Sequence, residues 1–278
     1  MHRRAFLRTA VAAAAAPLAG CRRSAPGAGA PWDDILARMP RELAGLVANP
    51  AHEIQALYTR IDRDDRQRPS LFTAPLALAP RRWFTAASWV KLPAILLTGE
   101  RLTMLGCDGS ARIVLDAPPA SGNWDTGEPL DEPFERTVRR LCTVSENVPF
   151  NRLYDYLGQR DIGEALAAHA MDEVRLIARL GSGDPEKNRS VGGSRVLDAA
   201  GHDVEHREAR TNPDAPAFPF GAVLKGRGWV TDTGEIVPGP HDFSRTNFVP
   251  LPAMHGMLSA LVFPEAAAPE ARWRISTA

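Results

Sequence analysis

The strongest constraint on how this chain folds is the stretch Ser88-Trp89-Val90-Lys91, which opens the apolar run Leu92, Ala94, Ile95, Leu96 and Leu97. A serine and a lysine three residues apart at the head of such a run share one face of a helix's first turn, so the amine reaches the hydroxyl. A serine hydroxyl is a poor nucleophile until a neighbouring base takes its proton, which gives the pair a chemical reason to be together. Ser145-Glu146-Asn147 follows 57 residues later.

Helical periodicity organises much of the rest. Trp32, Ile35, Leu36, Met39, Leu43, Leu46 and Val47 form an amphipathic stripe broken at Pro40, which predicts one or two leading helices. Ile54–Ile61 and Leu71–Leu78 read as paired strands around an Asp62–Asp65 turn. Phe134, Val138, Leu141 and Val144 mark a helix that delivers Ser145, and Leu153–Leu166 continues in helical spacing. Leu251, Met254, Leu258, Leu261 and Val262 predict another helix. Val174–Leu180 fits either strand or loop. Residues 181–219, dominated by Gly, Asp, Asn and Pro, are expected to be irregular, and 222–237 reads as a hairpin with an Asp/Gly turn.

Ser88-x-x-Lys91 followed by Ser145-x-Asn147 resembles the signature of class A β-lactamases and penicillin-binding proteins, a broad group of serine hydrolases. Ile54–Arg63, Arg82–Ala87 and Asn151–Gly158 carry the same likeness. The resemblance implies an α/β (α+β) fold, a helical domain beside an antiparallel sheet domain, over residues 32–278. It also implies the roles. Ser88 would form the acyl-enzyme, Lys91 would take its proton, Ser145 would relay a proton to the leaving group, and Asn147 would hold Lys91 or the substrate. Within Asp184-Pro185-Glu186-Lys187-Asn188, either Asp184 or Glu186 would position the deacylating water next to Asn188. The chain departs from the pattern in two places. Glu146 stands where class A enzymes carry Asp, and no Lys-Thr-Gly is present. Lys225-Gly226-Arg227 and Met254-His255-Gly256 are the two weak substitutes for that third motif. Because related proteins carry it on one of the closing strands that follow the helix predicted at Leu251–Val262, the expectation is that those strands and the last helix are missing and the C-terminus is truncated.

Residues 1–20 read as a leader: Arg3-Arg4-Ala5-Phe6-Leu7-Arg8 has the form of a twin-arginine export motif, and an alanine-rich run follows. Leu18-Ala19-Gly20-Cys21 has the form of a lipobox, making Cys21 the expected lipidation site, with 21–31 a flexible tether. The expected location is therefore the periplasm, on a membrane lipid anchor. Cleavage would take three arginines and no acid from 33 basic and 33 acidic residues, leaving a net charge of −3. That charge gives no electrostatic case for nucleic acid. His202-Asp203-Val204-Glu205-His206 lacks the flanking pattern of a zinc helix, so no metal or other cofactor is expected. Cys107 and Cys142 remain after Cys21, as a possible disulfide or as packed thiols. The expected partner is a small acyl substrate, a β-lactam or a peptidoglycan-like amide or ester. The competing expectation is a non-catalytic envelope lipoprotein that binds cell-wall material.

Overall fold

The computed structural model describes residues 31–79, 82–117, 132–182, 186–215, 220–231 and 233–276. Pro40 divides the leading stripe into α1 (Pro31–Arg38) and α2 (Arg41–Ala48). The Trp32 indole N–H donates to the Ala74 carbonyl at 2.9 Å, which ties α1 to the first sheet. That sheet pairs β1 (Ala56–Arg63) with β2 (Pro69–Leu76), antiparallel from Ala56 opposite Leu76 to Arg63 opposite Pro69. The pairing runs through Asp62 and Arg63, so the turn lies later than the sequence suggests. There the Asp64 carboxylate accepts the backbone N–H groups of Arg66 and Arg68, both at 2.9 Å.

The core lies among α3 (Lys91–Met104), β3 (Arg112–Leu115), α4 (Phe134–Thr143), α5 (Asn147–Leu157) and α6 (Gln159–Ala168). Every residue of α5 from Pro149 to Leu157 is buried. A helix enclosed on all sides has to satisfy its polar side chains from within the protein. Asn151 does so by accepting the Leu180 N–H at 2.8 Å and donating to the Leu180 carbonyl at 3.0 Å. Asp155 pairs with Arg179 at 2.6 Å, and the Tyr156 hydroxyl donates to Glu205 at 2.8 Å. The helix ends at Gly158, whose φ of +81° suits glycine. Arg210 caps it by donating to the carbonyls of Tyr156 at 2.6 Å and Leu157 at 2.8 Å. A β-carbon on residue 158 would stand 2.8 Å from that guanidinium.

Among the described residues, the stretch 181–219 is not wholly irregular. It carries β4 (Ser190–Val191), β5 (Ser194–Leu197), β6 (Asp203–Arg207) and β7 (Arg210–Thr211). β5 is the centre of an antiparallel sheet in the order β3-β5-β6. His202–His206, expected in a loop, therefore lies mainly on β6, where Glu205 pairs with Arg101 and receives the Tyr156 hydroxyl. Further on come β8 (Leu224–Lys225), β9 (Gly228–Val230), β10 (Ile236–Pro238) and β11 (His241–Asp242), then α7 (Leu251–Val262). β9 and β10 make the expected hairpin, with Ile236 opposite Val230. Val174–Leu180 forms no named strand and makes a single bridge, Arg175 to Phe248. The fold thus mixes helices with antiparallel strands. Among the described residues the strands form small antiparallel ladders. Cys107 and Cys142 are free thiols, the first buried and the second exposed.

Residues 269–276 lie along α3. Glu100 accepts the Arg274 N–H at 2.7 Å, the Thr103 hydroxyl accepts the Ser276 N–H at 2.9 Å, and the Trp273 indole donates to the Met257 carbonyl at 3.2 Å. His169 stacks on Trp273 with ring centroids 4.1 Å apart.

Candidate active site

Two sharp corners bring the site together. Ser88 lies in a single 3₁₀ turn, Ala87–Val90, that leads directly into α3, so Lys91 follows one turn later with its amine beside the hydroxyl. Ser145 occupies the corner between α4 and α5, and Asn147 is the first residue of α5. Both corners use left-handed backbone at non-glycine residues: φ is +41° at Ala87 and +57° at Ser145. Such positions cost about 1–3 kcal/mol each and persist only where the surroundings enforce them. We expect Ala87→Gly to raise stability by about 1 kcal/mol, read as a higher urea midpoint at unchanged slope. A fall in the midpoint would show that the corner is unstrained.

The four polar groups meet around the lysine. Lys91 Nζ lies 3.1 Å from Ser88 Oγ, 2.8 Å from Ser145 Oγ and 2.9 Å from Asn147 Oδ1, and it also donates to the Ser145 carbonyl. Ser145 Oγ donates to Ser88 Oγ at 2.8 Å. Lys91 is only 4% exposed, and this burial pushes its amine below the ordinary lysine range, with Glu146 acting weakly in the other direction. Ser88 Oγ, Ser145 Oγ, the Ser145 carbonyl and Asn147 Oδ1 surround the amine as acceptors, so the charged form is fully hydrogen-bonded, while burial acts towards the neutral form that could take the Ser88 proton.

Glu146 belongs to a different network. Its carboxylate accepts from Arg140 Nε at 3.0 Å, and Arg140 Nη1 also reaches buried Glu132 at 2.9 Å. The hydrogen bond from Arg140 holds the Glu146 carboxyl below the usual carboxylate range. The middle residue of Ser-x-Asn is therefore turned towards α4, where it fixes the corner that presents Ser145. The sequence did not single out Arg140 or Glu132. Their spacing of eight residues across a helix start looks like ordinary surface charge.

The remaining candidates have other partners or lie outside the described residues. Asp184 and Cys21 lie outside the described residues. Glu186 is exposed and pairs with Arg189 at 2.9 Å and Arg245 at 2.7 Å. Asn188 is fully buried; its Oδ1 accepts the Arg179 N–H at 2.8 Å and its Nδ2 donates to Ser182 at 3.2 Å. These contacts fasten Asn188 to Arg179 and Ser182. Lys225 pairs with Glu53 at 2.7 Å.

Ser88 itself is exposed at the edge of an open cleft of about 570 Å³. The other wall is α7, through Leu251, Met254, His255 and Leu258. Of the two weak substitutes for a third motif, the α7 one, Met254-His255, lies against this cleft. Its helical period is legible in the sequence, but its proximity to Ser88 is not.

No protein-family model matches the chain, and no curated protein matches it either. Among solved structures it is similar to a β-lactamase from Sphaerobacter thermophilus, with 19% identity over 82% of this chain and a TM-score of 0.39. The chain spans 64% of that protein's length. The activity has to be read from the site itself.

Proposed function

We propose that this chain is an exported serine hydrolase that forms an acyl-enzyme on Ser88. It would act in the manner of class A β-lactamases and penicillin-binding proteins, tethered to the cell envelope through lipid on Cys21. One observation carries the reading: a buried lysine amine within hydrogen-bond reach of Ser88, Ser145 and Asn147 together.

In this mechanism Ser88 Oγ attacks the carbonyl carbon of an amide or ester while Lys91 Nζ takes its proton. As the tetrahedral intermediate collapses, the bond to the leaving nitrogen or oxygen breaks. The proton on Lys91 then passes through Ser145 Oγ to that leaving atom. Water attacks the acyl-serine in the second half and restores Ser88. Asn147 Oδ1 accepts from the amine and holds it beside Ser88.

The test is covalent labelling of the folded full chain with a fluorophosphonate and, separately, a β-lactam, followed by mass mapping. We expect one adduct on Ser88 and none in Ser88→Ala. A folded wild-type protein that takes no label from either reagent would leave the non-catalytic envelope lipoprotein as the better account.

A further inference from the structure

The cleft beside Ser88 has an unusual lining for a site meant to hold an anionic substrate. Leu251, Met254 and Leu258 are spaced three and four residues apart, so α7 turns one continuous apolar face towards it. Trp89 and Leu92 extend that surface from the nucleophile side, and Ala56 and Leu57 close it at the start of β1. Among the described residues no Lys, Arg, Asp or Glu side chain lines it. The polar groups in its wall besides Ser88 are Gln55 and His255, and each has one atom engaged. Gln55 Oε1 accepts the Ala79 N–H at 2.8 Å, and His255 Nε2 lies 2.6 Å from Thr59 Oγ1. Away from the Lys91 amine behind Ser88, a carboxylate entering this space would give up water without meeting a cation in the described lining. An alkyl or aryl group would cover Trp89, 43% exposed, and Leu258, 52% exposed. The volume, about 570 Å³, is in the range of small-molecule sites.

Resting on the Ser88 reading above, we infer that this cleft is an acyl-chain subsite and that the preferred substrates are neutral esters of medium-chain or aryl carboxylic acids. The Ser88 Oγ–acyl bond forms as the ester C–O bond breaks. The Ser88 proton leaves with the alcohol through Lys91 and Ser145, and water later releases the acid.

The test is a p-nitrophenyl ester series from acetate to octanoate with the full chain, alongside Leu258→Asp. Each methylene buried against α7 is worth about fourfold in kcat/KM. Because the cleft is open, we expect an overall gain of at least about tenfold from acetate to hexanoate. In Leu258→Asp that ratio should fall to about threefold or less. A flat series from an enzyme whose Ser88 takes a fluorophosphonate overturns the acyl subsite and leaves the nucleophile standing. So does a preference for a carboxylate-bearing β-lactam over the neutral esters. If Ser88 takes no label, the nucleophile reading fails, and the cleft is then tested by calorimetric titration with 1-octanol. Saturable binding that is lost in Leu258→Asp supports the apolar subsite, and its absence overturns it. A dimer in sedimentation that Leu258→Asp dissociates would also overturn it, by assigning this face to a second copy of the chain.

Discussion

Lys91→Met and Lys91→Arg should both slow acylation by about 10²–10⁴, the usual contribution of a positioned base. The pair is informative because arginine keeps the positive charge but has no lone pair to offer at any working pH. If Lys91 acted only through charge, by attracting an oxyanion or holding Ser145, the arginine variant would retain most of the rate. A Lys91→Arg enzyme within about tenfold of wild type would remove the base assignment. The wild-type pH profile follows from the same burial. Acylation should rise as the pH passes upward through the amine's depressed pKa, because only the neutral form accepts the Ser88 proton. That limb should be missing in both variants. Stopped-flow labelling by a fluorophosphonate across the pH range measures all three proteins.

Arg179→Met should cost about 3–5 kcal/mol of stability, the penalty for leaving a buried carboxylate without its partner. Asp155 and Arg179 are nearly solvent-free at 2.6 Å, and the guanidinium also donates to the carbonyls of Lys187, at 3.1 Å, and Ser190, at 2.8 Å. Burial pushes the Asp155 carboxyl up to about 6 even with Arg179 pulling it down. Without the arginine the folded-state value rises further above that of the unfolded chain. The carboxyl's contribution is then fully present below the unfolded value and lost as the pH climbs through the folded one. The deficit should therefore be small near pH 4 and largest near pH 8. Asp155→Leu combined with Arg179→Met should recover a large part of it. Urea titrations at the two pH values test this, and a deficit that does not depend on pH would mean that the lost carbonyl contacts dominate.

How much of this was legible in the sequence depended on whether the signal was local. The nucleophile turn and Lys91 were visible through a short spacing at the head of a helical run, and Ser145 and Asn147 through the likeness of Ser-x-Asn to a known motif. α1, α2, α4 and α7 were visible through helical period. β4 to β7 were not, because strands of two to five residues with charged members such as Glu205 and Arg207 carry no alternation of their own. They are held by partners distant in the chain, as when Arg101 and Tyr156 meet Glu205. The acid of the 184–188 segment was the least secure assignment. An acid four residues before an asparagine fixes a spacing but no direction, and Glu186 turns to Arg189 and Arg245. The cleft wall on α7 was invisible as a wall, since nothing local says that residues 251–258 lie opposite residue 88.

The clasp of residues 269–276 on α3 bears on how the protein matures. Two of its hydrogen bonds join residues 174 and 173 positions apart in the chain. Contacts this distant form late, because a long loop must close before they contribute. The helix that carries Lys91 therefore completes its packing only once residues near 275 have been synthesised and released. A ribosome-bound chain would hold Ser88 and Lys91 on an unfinished support, so the acylation proposed for Ser88 would have to wait for this clasp.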